Sequence, residues 1–315
     1  MFYWYLLNSP IAREQFGFFS TTTTGLGNLN GRIIGNLVAL LPPLPEQRAI
    51  AAFLDRKTAE IDALIAAKER LIALLREKRT ALITQAVTKG LDAGVAMKDS
   101  GVAWLGEVPG GWEVVTLKRF TRIRYGLGQP PKESSTGLPL IRATNINRGE
   151  ITETGMMYVN PDGVPLSRDA ELREGEIIVV RSGAYTGDSA IVPEKYSGAI
   201  AGYDLVATVY NQNPRFIAWQ LLSPEVYELQ FGFHKLRAAQ PHLNAEELSI
   251  TIIVCPPLDE QQTIVEFLDL KDTEIKTLVK KIQWGIERLK EYRTALISAA
   301  VTGKIDVRHS LDGTV

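Results

Sequence analysis

An internal duplication constrains this chain more than any other feature of its sequence. Residues 42–92 match residues 256–306 at a constant shift of 214, without a gap and with 25 identities in 51 positions. Both copies open with the motif Pro-Pro-Leu-x-Glu-Gln, and both later carry Arg-Thr-Ala-Leu-Ile. Because self-similarity at a fixed spacing marks a repeated structural unit, the fold must contain the same element twice.

Each copy has the pattern of one long helix. The prolines of the opening motif end any preceding strand, since proline lacks the N–H that a strand ladder needs. The glutamate that follows, Glu46 or Glu260, suits the N-terminus of a helix. No glycine or proline interrupts residues 46–89, and only Gly285 interrupts residues 260–302. About 43 residues at ~1.5 Å each predict a rod roughly 65 Å long.

Residues on both copies recur every seven positions, which is the spacing of a coiled coil. The two columns are Leu54, Ile61, Lys68, Leu75 and Leu82, and Leu268, Ile275, Ile282, Leu289 and Leu296. The sequence places Leu64, Leu71 and Leu278 at the intermediate positions of this seam. A single amphipathic rod would leave its apolar stripe in water, so we expect the two helices to pack antiparallel against each other. The alternative is that each is a surface helix of a globular domain.

Residues 112–255 have the pattern of an α+β domain. Runs of strand-forming residues between glycine, proline and asparagine turns predict strands at 138–143, 176–181, 189–193, 204–210 and 248–254. Two short helices are predicted at 214–222 and 224–231. Residues 113–150 hold seven Lys/Arg and three Glu, a net charge of +4, although the whole chain has a net charge of −1. Positive charge is therefore concentrated in one part of the domain.

The repeat also extends to the start of the chain. At the same shift Phe2 matches Phe216, whereas Gln15 resembles Gln230 one residue out of step. We therefore predict that the chain begins inside a repeat and lacks most of a first unit. The predicted order is a remnant of a first domain at 1–41, a first spacer helix at 42–92, a linker at 93–111, a complete domain at 112–255, a second spacer helix at 256–304 and a tail at 305–315.

Composition and missing motifs exclude several classes of function. The one cysteine, Cys255, excludes an internal disulfide framework and fits a cytoplasmic protein. No apolar run approaches the ~18 residues of a membrane span. Walker A, HExxH and CxxC motifs are absent from the sequence, and nothing pairs its three histidines with cysteines for zinc. The sequence thus favours a protein without a catalytic or metal site of its own.

The chain resembles the specificity subunits of type I restriction–modification systems. Besides the duplicated motif, the resemblance rests on DSGVxWLG at 99–106, PLIRxxNI at 139–146 and GEIIVVRSGA at 175–184. It implies an α+β fold, with a mixed α/β target-recognition domain and two long helices that form an antiparallel coiled coil. Residues 112–255 would be a complete recognition domain, and residues 1–41 the remnant of another.

The resemblance implies a non-catalytic, DNA-binding subunit of a methyltransferase/endonuclease complex that defends the cell against foreign DNA. Each recognition domain would read half of a split site on double-stranded DNA, and the helices would dock methyltransferase (modification) subunits and a restriction/translocase subunit. S-adenosylmethionine, ATP and Mg would belong to those partners. The short first domain leaves a second specificity chain or a homodimer open as a further partner. The alternative is a helical scaffold, or a decayed fragment, that no longer binds DNA alone.

Candidate DNA-binding residues are polar, basic and aromatic side chains on the predicted loops. Arginine can bond guanine O6 and N7, asparagine and glutamine can bond adenine, and other cationic groups hold phosphates. The candidates are Arg122, Arg124, Tyr125, Gln129 and Lys132; Arg142, Thr144, Asn145, Asn147 and Arg148; Arg181, Ser182, Tyr185 and Thr186; and Lys235, Arg237, Gln240 and His242. Asn145 and Arg181 are also candidates for a structural role that ties turns together.

Overall fold

The computed structural model describes residues 1–19, 30–232 and 241–307. The chain divides into two compact units, one formed by Met1–Arg76 with Ile275–Val315 and the other by Glu77–Glu274. The duplicated segments form the long helices Leu44–Lys89 and Leu258–Val301, so each unit contains a part of both helices. The prediction of two helices far longer than usual is confirmed.

The opening motif explains why both helices begin at the same place in the repeat. The side chain of Gln47 donates Nε2–H to the carbonyl of Pro42 at 2.8 Å. Gln261 donates to the carbonyl of Pro256 at the same distance. In both copies the glutamine of the first turn therefore ties the preceding proline pair to the start of the helix.

The helix segments run antiparallel within each unit. In the first unit Arg293 pairs with Asp62, and further along Ile72 packs on Ile282 and Ile286. In the second unit Arg79 Nε lies 2.5 Å from Asp272 Oδ1. Residue numbers rise along one helix as they fall along the other. The prediction of an antiparallel coiled coil is confirmed.

The intermediate column of the seam is different from the predicted one. Leu64, Leu71 and Leu278 are exposed, so their assignment to the seam is wrong. The column that faces the partner helix lies four residues after the first column instead of three. Its members are Thr58, Ile65, Ile72, Arg79 and Ala86 on the first helix. Apolar residues occupy both spacings in the sequence, so periodicity alone did not choose between them.

The remaining elements are short. The other helices are Phe2–Asn8, Pro10–Phe19, Gly31–Gly35, Pro214–Leu221 and Ala245–Ser249, with a π-helix at Glu225–Gln230 and 3-10 turns at Leu117–Arg119, Ala143–Asn145, Pro161–Gly163, Leu166–Arg168 and Glu194–Tyr196. The strands are β1 (Met97–Asp99), β2 (Glu107–Pro109), β3 (Glu113–Thr116), β4 (Thr121–Tyr125), β5 (Glu133–Ile141), β6 (Ile146–Asn147), β7 (Glu150–Ile151), β8 (Met157–Val159), β9 (Ile177–Val179), β10 (Ser189–Ile191), β11 (Ile200–Ala201), β12 (Leu205–Val209) and β13 (Ile252–Cys255).

The second unit is organised around an antiparallel sheet in the order β10-β9-β12-β4. Alternate residues of its central strands point to opposite faces, as strand geometry requires. Ile177 and Leu205 lie in the core that includes the helix Pro214–Leu221, whereas Ile178 and Val206 lie in a second core. A smaller sheet has the order β11-β5-β8, and three further pairs are β1 with β2, β3 with β13, and β6 with β7.

The strands predicted at 176–181, 189–193 and 204–210 are present with shorter bounds. The strand predicted at 138–143 instead runs from Glu133 to Ile141, and the last predicted strand is partly wrong. Its first residues belong to the helix Ala245–Ser249, and the strand itself is β13. This helix begins at a reciprocal cap in which Asn244 Oδ1 accepts the Glu247 N–H at 2.8 Å and Glu247 Oε2 accepts the Asn244 N–H at 2.9 Å. An Asn-x-x-Glu spacing favours such a helix start over an extended strand.

The repeat produces two equivalent clusters, which we call the recognition-side junction and the terminal junction. The recognition-side junction contains Ile83, Ala86 and Val87, Ile264, Val265 and Leu268, and Phe216 and Trp219. The terminal junction contains their counterparts at the shift of 214, namely Ile297, Ala300 and Val301, Ile50, Ala51 and Leu54, and Phe2 and Tyr5. In both junctions the end of one long helix packs on the start of the other and on a short helix.

A hydrogen bond is repeated together with the packing. Trp219 donates its indole N–H to Asp269 Oδ1 at 2.9 Å, and Tyr5 donates its hydroxyl to Asp55 Oδ1 at 2.8 Å. Tyr5 and Trp219 occupy equivalent positions, as do the two aspartates. The short helix is therefore fastened to the long helix by an aromatic donor in both copies.

Candidate nucleic-acid interface

The register of the main sheet brings three segments to one of its ends. Leu205 pairs with Tyr125 on one side and with Val179 on the other. Residues that follow β4 and β9, and those that precede β12, therefore leave the sheet at the same end. This is the end at which Tyr125, Arg181 and Tyr203 lie.

Arg181 lies between two aromatic rings at this end of the sheet. Its guanidinium carbon is 4.7 Å from the ring centroid of Tyr125 and 4.3 Å from that of Tyr203. Its Nη2 atom is 3.0 Å from His242 Nε2. Cation–π contacts of this kind stabilise a guanidinium and restrict its orientation. We call Arg181, Tyr125, Tyr203 and His242 the arginine clamp.

Backbone and side-chain bonds hold the clamp in place. The Tyr125 hydroxyl accepts the Ala245 N–H at 3.0 Å, and the Arg181 carbonyl accepts the Leu243 N–H at 2.7 Å. Asp204 accepts the Arg181 N–H through Oδ1 at 3.2 Å. Burial raises the pKa of Asp204 to about 6, against the opposing effect of the backbone N–H and charge of Arg181. A buried carboxyl thus anchors the main chain beneath the guanidinium.

A second group of cationic side chains follows β5. Arg142 donates Nη2–H to the carbonyl of Gly155 at 2.7 Å. Arg148 has a left-handed backbone with φ of 38°, and its guanidinium carbon lies 4.5 Å from the ring centroid of Tyr227. Gly149 next to it has a φ of 99°, so the turn projects Arg148 outward with its guanidinium stacked on an aromatic ring.

Three further predicted residues, outside the clamp and the group after β5, have side chains that bond within the domain. Arg124 forms a two-pronged ion pair with Glu176, with Nη1–Oε1 and Nη2–Oε2 distances of 2.5 and 2.6 Å. Burial alone would raise the pKa of Glu176, but hydrogen bonds from Arg124 and Thr208 outweigh burial and lower it.

The other two are buried turn residues. Asn145 bonds the main chain at residues 142, 152 and 154, and the Thr186 hydroxyl donates to the Gly183 carbonyl at 2.7 Å. We assign these three side chains to the framework of the site, which for Asn145 is the structural role weighed from the sequence.

The remaining predicted residues are exposed, half-buried or outside the described residues. The exposed ones are Arg122, Gln129, Lys132, Thr144, Asn147 and Tyr185, whereas Ser182 is half-buried and forms an isolated bridge with His242. Lys235, Arg237 and Gln240 lie outside the described residues. The structure therefore gathers Tyr125, Arg181 and His242 from three of the predicted groups into one cluster.

Sequence reasoning missed Tyr203 and Asp204 as parts of the site. A sequence signal for them exists, because the run Gly202-Tyr203-Asp204 directly precedes a strand of four apolar residues and a threonine. Binding residues are disproportionately found on loops that a rigid scaffold positions, which makes residues just before a strand candidates. The strand predicted to start at Asp204 instead starts at Leu205, which leaves both residues in the turn.

Comparison with known proteins identifies the family of the chain. The family model described as the type I restriction modification DNA specificity domain matches residues 109–288, more than half of the chain. The chain belongs to this family. The matched range contains every member of the arginine clamp.

Named relatives extend the similarity to nearly the whole chain. The MjaVIII specificity subunit of Methanocaldococcus jannaschii is 26% identical over 97% of this chain and 71% of its own length. The EcoBI specificity subunit of Escherichia coli is 24% identical over 91% of this chain and 62% of its own length. A solved chain of the type I restriction–modification system, from work on its assembly and conformational transition, superposes with a TM-score of 0.74 at 17% identity over 96% of this chain and 71% of its own length.

The family model and the named relatives confirm the predicted family. The chain is a type I restriction–modification specificity subunit, which recognises DNA and is not itself the catalytic subunit. Among the described residues no helix is both long and apolar enough to cross a membrane. Within residues 1–19, 30–232 and 241–307 no cluster of three or more His, Cys, Asp or Glu is arranged to hold a metal ion.

Proposed function

We propose that the arginine clamp is the base-reading element of the recognition domain. The observation that carries this proposal is the stacking of Arg181 between Tyr125 and Tyr203, with His242 at its tip. A guanidinium is a planar fork that can bond O6 and N7 of guanine in the major groove. A fork that is already oriented loses less conformational entropy on binding, which favours affinity and selectivity.

The surrounding cations anchor phosphates in this proposal. Arg122, Lys132 and Arg148 are exposed, and they come from the two segments on either side of β5. Arginine and lysine bound to phosphates set the register of a protein on DNA without reading its sequence. Arg142 has one donor on the Gly155 carbonyl and contributes its charge to the same surface.

The two long helices supply docking surfaces for the other subunits in this proposal. In the first unit Leu64, Leu71 and Leu74 are exposed on one side of the first helix, at spacings of seven and three residues. Large exposed apolar side chains on one helix face are typical of a protein–protein interface. Methyltransferase and restriction/translocase subunits would bind there and bring S-adenosylmethionine, ATP and Mg with their own chemistry.

A methylation map tests the base-reading role. The chain is expressed together with its methyltransferase subunit, the methylated motif is read by sequencing genomic DNA, and binding to a duplex with that motif is titrated. Arg181→Ala should weaken binding to the motif by about 1–3 kcal/mol and relax selectivity at one base pair. Arg181→Lys should keep most non-specific affinity but lose that selectivity, because lysine lacks the fork.

Two matched substitutions complete this test. Arg122→Ala should weaken binding to all sequences alike and lower the salt slope by about one, as loss of a phosphate contact does. Arg119 precedes β4 whereas Tyr125 ends it, so Arg119→Ala, at the other end of the strand, should leave binding unchanged. An unchanged motif and unchanged affinity in Arg181→Ala would refute the assignment.

Docking is tested separately from DNA binding. Leu64→Asp with Leu71→Asp should lower co-purification of the methyltransferase subunit and leave the helical content unchanged, since both side chains are exposed. Ile72→Asp is the matched comparison, because Ile72 is buried in the seam and its substitution should lower stability instead. Equal co-purification by the wild type and the double variant would exclude this face.

A further inference from the structure

Arg148 occupies a backbone position that arginine rarely adopts. β6 and β7 form a hairpin with a two-residue loop, because Asn147 pairs with Glu150. The loop residues, Arg148 and Gly149, have φ angles of 38° and 99°. A two-residue loop with both φ angles positive favours Asn-Gly, Asp-Gly or Gly-Gly, since most other side chains are strained in the left-handed region. An arginine at 148 therefore lowers the stability of the turn.

The other left-handed residues differ from Arg148 in type. Besides the glycines, the described residues with a positive φ are Asp169 at 46° and Asn211 at 58°. Aspartate and asparagine suit this region, because their short side chains can bond the local backbone. Among the described residues Arg148 is thus the one left-handed residue whose own type does not suit the conformation. Strain of this kind clusters at functional sites.

Packing around Gly149 keeps the turn in this conformation. The Gly149 N–H donates to the carbonyl of Ser189 in β10 at 2.8 Å. A Cβ atom at residue 149 would lie 2.9 Å from Leu222 Cδ1, so the close approach requires a glycine. The turn is therefore held by β10 and by Leu222, and a shift of the loop cannot relieve the strain at Arg148.

Two further side chains fix the guanidinium of Arg148. Its Cζ atom lies 4.5 Å from the ring centroid of Tyr227, and its Nε atom lies 4.0 Å from Asp188 Oδ1. Asp188 is buried, whereas the side chain of Arg148 stays 52% exposed. The ring and the carboxylate restrict the orientation of the guanidinium without enclosing it, which leaves N–H donors for a ligand.

Tyr227 belongs to the π-helix Glu225–Gln230. π-helices are rare and occur frequently at functional sites. The Gln230 side chain anchors this helix to β13, because it accepts the Ile252 N–H at 2.8 Å and donates to the Ile252 carbonyl at 2.9 Å. The element that carries the ring is therefore fixed to the body of the domain.

Asp188 connects Arg148 to the arginine clamp. The loop that starts at Arg181 closes at Asp188, whose carbonyl accepts the Val180 N–H at 2.7 Å. The carboxylate beside Arg148 therefore lies at the base of the loop that carries Arg181. One short, closed loop sets the positions of both arginines.

We propose that the strain at Arg148 serves DNA contact, and that Tyr227 and Asp188 are positioning residues that aim its guanidinium at a phosphate in fixed register with Arg181. This proposal rests on the function proposed above and names the residues that orient one of its phosphate contacts. Phosphate contacts set the register of a protein on the duplex. An anchor fixed relative to the clamp would place Arg181 at its base pair.

Glycine at position 148 separates the two effects of the arginine. In the complex with the methyltransferase subunit, Arg148→Gly should raise the midpoint of thermal unfolding by about 1–3 °C, because glycine is unstrained there. The same variant should bind all duplexes about three- to tenfold more weakly at ~0.1 M salt and lower the salt slope by about one. Arg148→Asn also suits the turn and should show both changes.

Asn211→Gly is the matched control. Asn211 is also left-handed, but it follows Val209 at the end of β12 opposite to Leu205, which pairs with Tyr125 of the clamp. This substitution should leave DNA binding unchanged. A glycine in a left-handed turn would then not weaken binding by itself.

A double-mutant cycle tests the positioning residues. Tyr227→Leu should weaken DNA binding several-fold in the wild type and have little effect in Arg148→Gly, because Tyr227 acts through Arg148. Asp188→Asn should follow the same pattern. Tyr227→Phe keeps the ring and should retain most of the affinity. Equal losses in both backgrounds would overturn the positioning role.

The outcomes separate this proposal from the base-reading role of Arg181. Unchanged affinity in Arg148→Gly, together with a relaxed motif in Arg181→Ala, would overturn the proposal and leave the base-reading role intact. A lower unfolding midpoint in Arg148→Gly would also overturn it, since the arginine would then stabilise the turn. A relaxed motif in Arg148→Gly would mean that Arg148 reads a base, and would overturn the phosphate contact.

Discussion

The two junctions share their residues but differ in what surrounds them. Leu54 and Leu268 are equivalent, and both are buried where the start of one long helix meets the end of the other. Around Phe216 the sheet, β3 and β13 complete the enclosure, whereas around Phe2 one face of the short helix remains in water. Local helix packing is thus a property of the repeated sequence, and full enclosure is a property of the domain inserted between the copies.

The two units also differ in how deeply their equivalent arginine ion pairs are buried. Arg79 and Arg293 are equivalent, yet Arg79 pairs with the buried Asp272 and Arg293 pairs with the exposed Asp62. Arg79 also lies over the ring of Trp219, with its guanidinium carbon 5.6 Å from the centroid. A side chain whose type is repeated can therefore have a different energetic role in each copy.

The largest expected difference concerns the aromatic residue of the short helix. Phe216→Ala should lower the free energy of unfolding by about 3–5 kcal/mol, because the side chain is fully buried and its cavity cannot collapse. Phe2→Ala should cost about 2 kcal/mol, since its helix is open to water on one side. Denaturant unfolding of the two variants measures the comparison. Equal losses would mean that the recognition sheet adds nothing to the packing of Phe216.

Removing the carboxylate partner should also cost much more stability at Arg79 than at Arg293. Asp272→Ala leaves the guanidinium of Arg79 buried without its carboxylate, which should cost about 3–4 kcal/mol. Asp62→Ala removes the partner of a more exposed arginine, and the expected loss is about 0–1 kcal/mol. Thermal unfolding measures both, and Arg79→Met in the Asp272→Ala background should recover part of the stability. A loss at Asp62 as large as that at Asp272 would contradict the burial difference.

Between pH 4 and pH 7, a pH dependence of stability should appear on the recognition side, at Asp204. The pKa of Asp204 is raised to about 6 by burial, so the carboxyl binds its proton more tightly in the folded state than in the unfolded state. Its contribution is fully present below the unfolded pKa of about 3.9 and is lost as pH rises through about 6. Two units of raised pKa correspond to about 2–3 kcal/mol.

Hydrogen exchange checks this expectation locally. Between pH 4 and pH 7, after correction for intrinsic exchange, the protection of β9 and β12 should fall in the wild type and stay level in Asp204→Asn. Protection around Leu54 in the terminal junction should be insensitive to this substitution. A wild-type profile that matches Asp204→Asn throughout that range would contradict the raised pKa.

The smallest expected effect is at Gln230 and Gln15, whose side chains each bond the N–H and the carbonyl of one residue, Ile252 and Val38 respectively. Gln230→Ala should cost about 1–2 kcal/mol, because it leaves both backbone groups of Ile252 without their side-chain partner in a partly buried site. Gln15→Ala should cost about 0.5 kcal/mol, since water can replace it at the exposed Val38. Exchange rates at residues 38 and 252 measure the pair.

Much of the fold follows from the sequence because the same pattern occurs in both copies of the repeat. The motif at Pro42 and Pro256 predicted both helix starts, and the heptad spacing predicted an antiparallel pair. The spacing gave a wrong prediction at Leu64 and Leu71. Apolar residues recur at two different spacings there, and only packing against the facing helix decides which of them are buried. Asn-x-x-Glu at 244–247 was a readable helix start, and the predicted strand there was an error of interpretation rather than a lack of signal.

The candidate site was less predictable than the fold. Sequence loops nominated Tyr125, Arg181 and His242, but nothing local indicated that residues 56 and 61 positions apart would meet. Their meeting depends on the strand order β10-β9-β12-β4, which joins the ends of strands distant in the sequence. The same order turned Arg124 inward to Glu176, although its neighbour Arg122 on the same strand stayed exposed.

The sequence by itself determined the elements that repeat, namely two long helices that start after a proline pair, their antiparallel pairing and the short helix predicted at 214–222. These depend on residues close in sequence or on a periodicity that recurs at a shift of 214, so a linear pattern is enough to specify them. The tertiary structure alone decided which of two equivalent positions is buried, which arginine is enclosed and which three loops meet at Arg181. Burial and non-local pairing depend on strand order and on the neighbouring chain segments, and neither is encoded in the immediate surroundings of a residue.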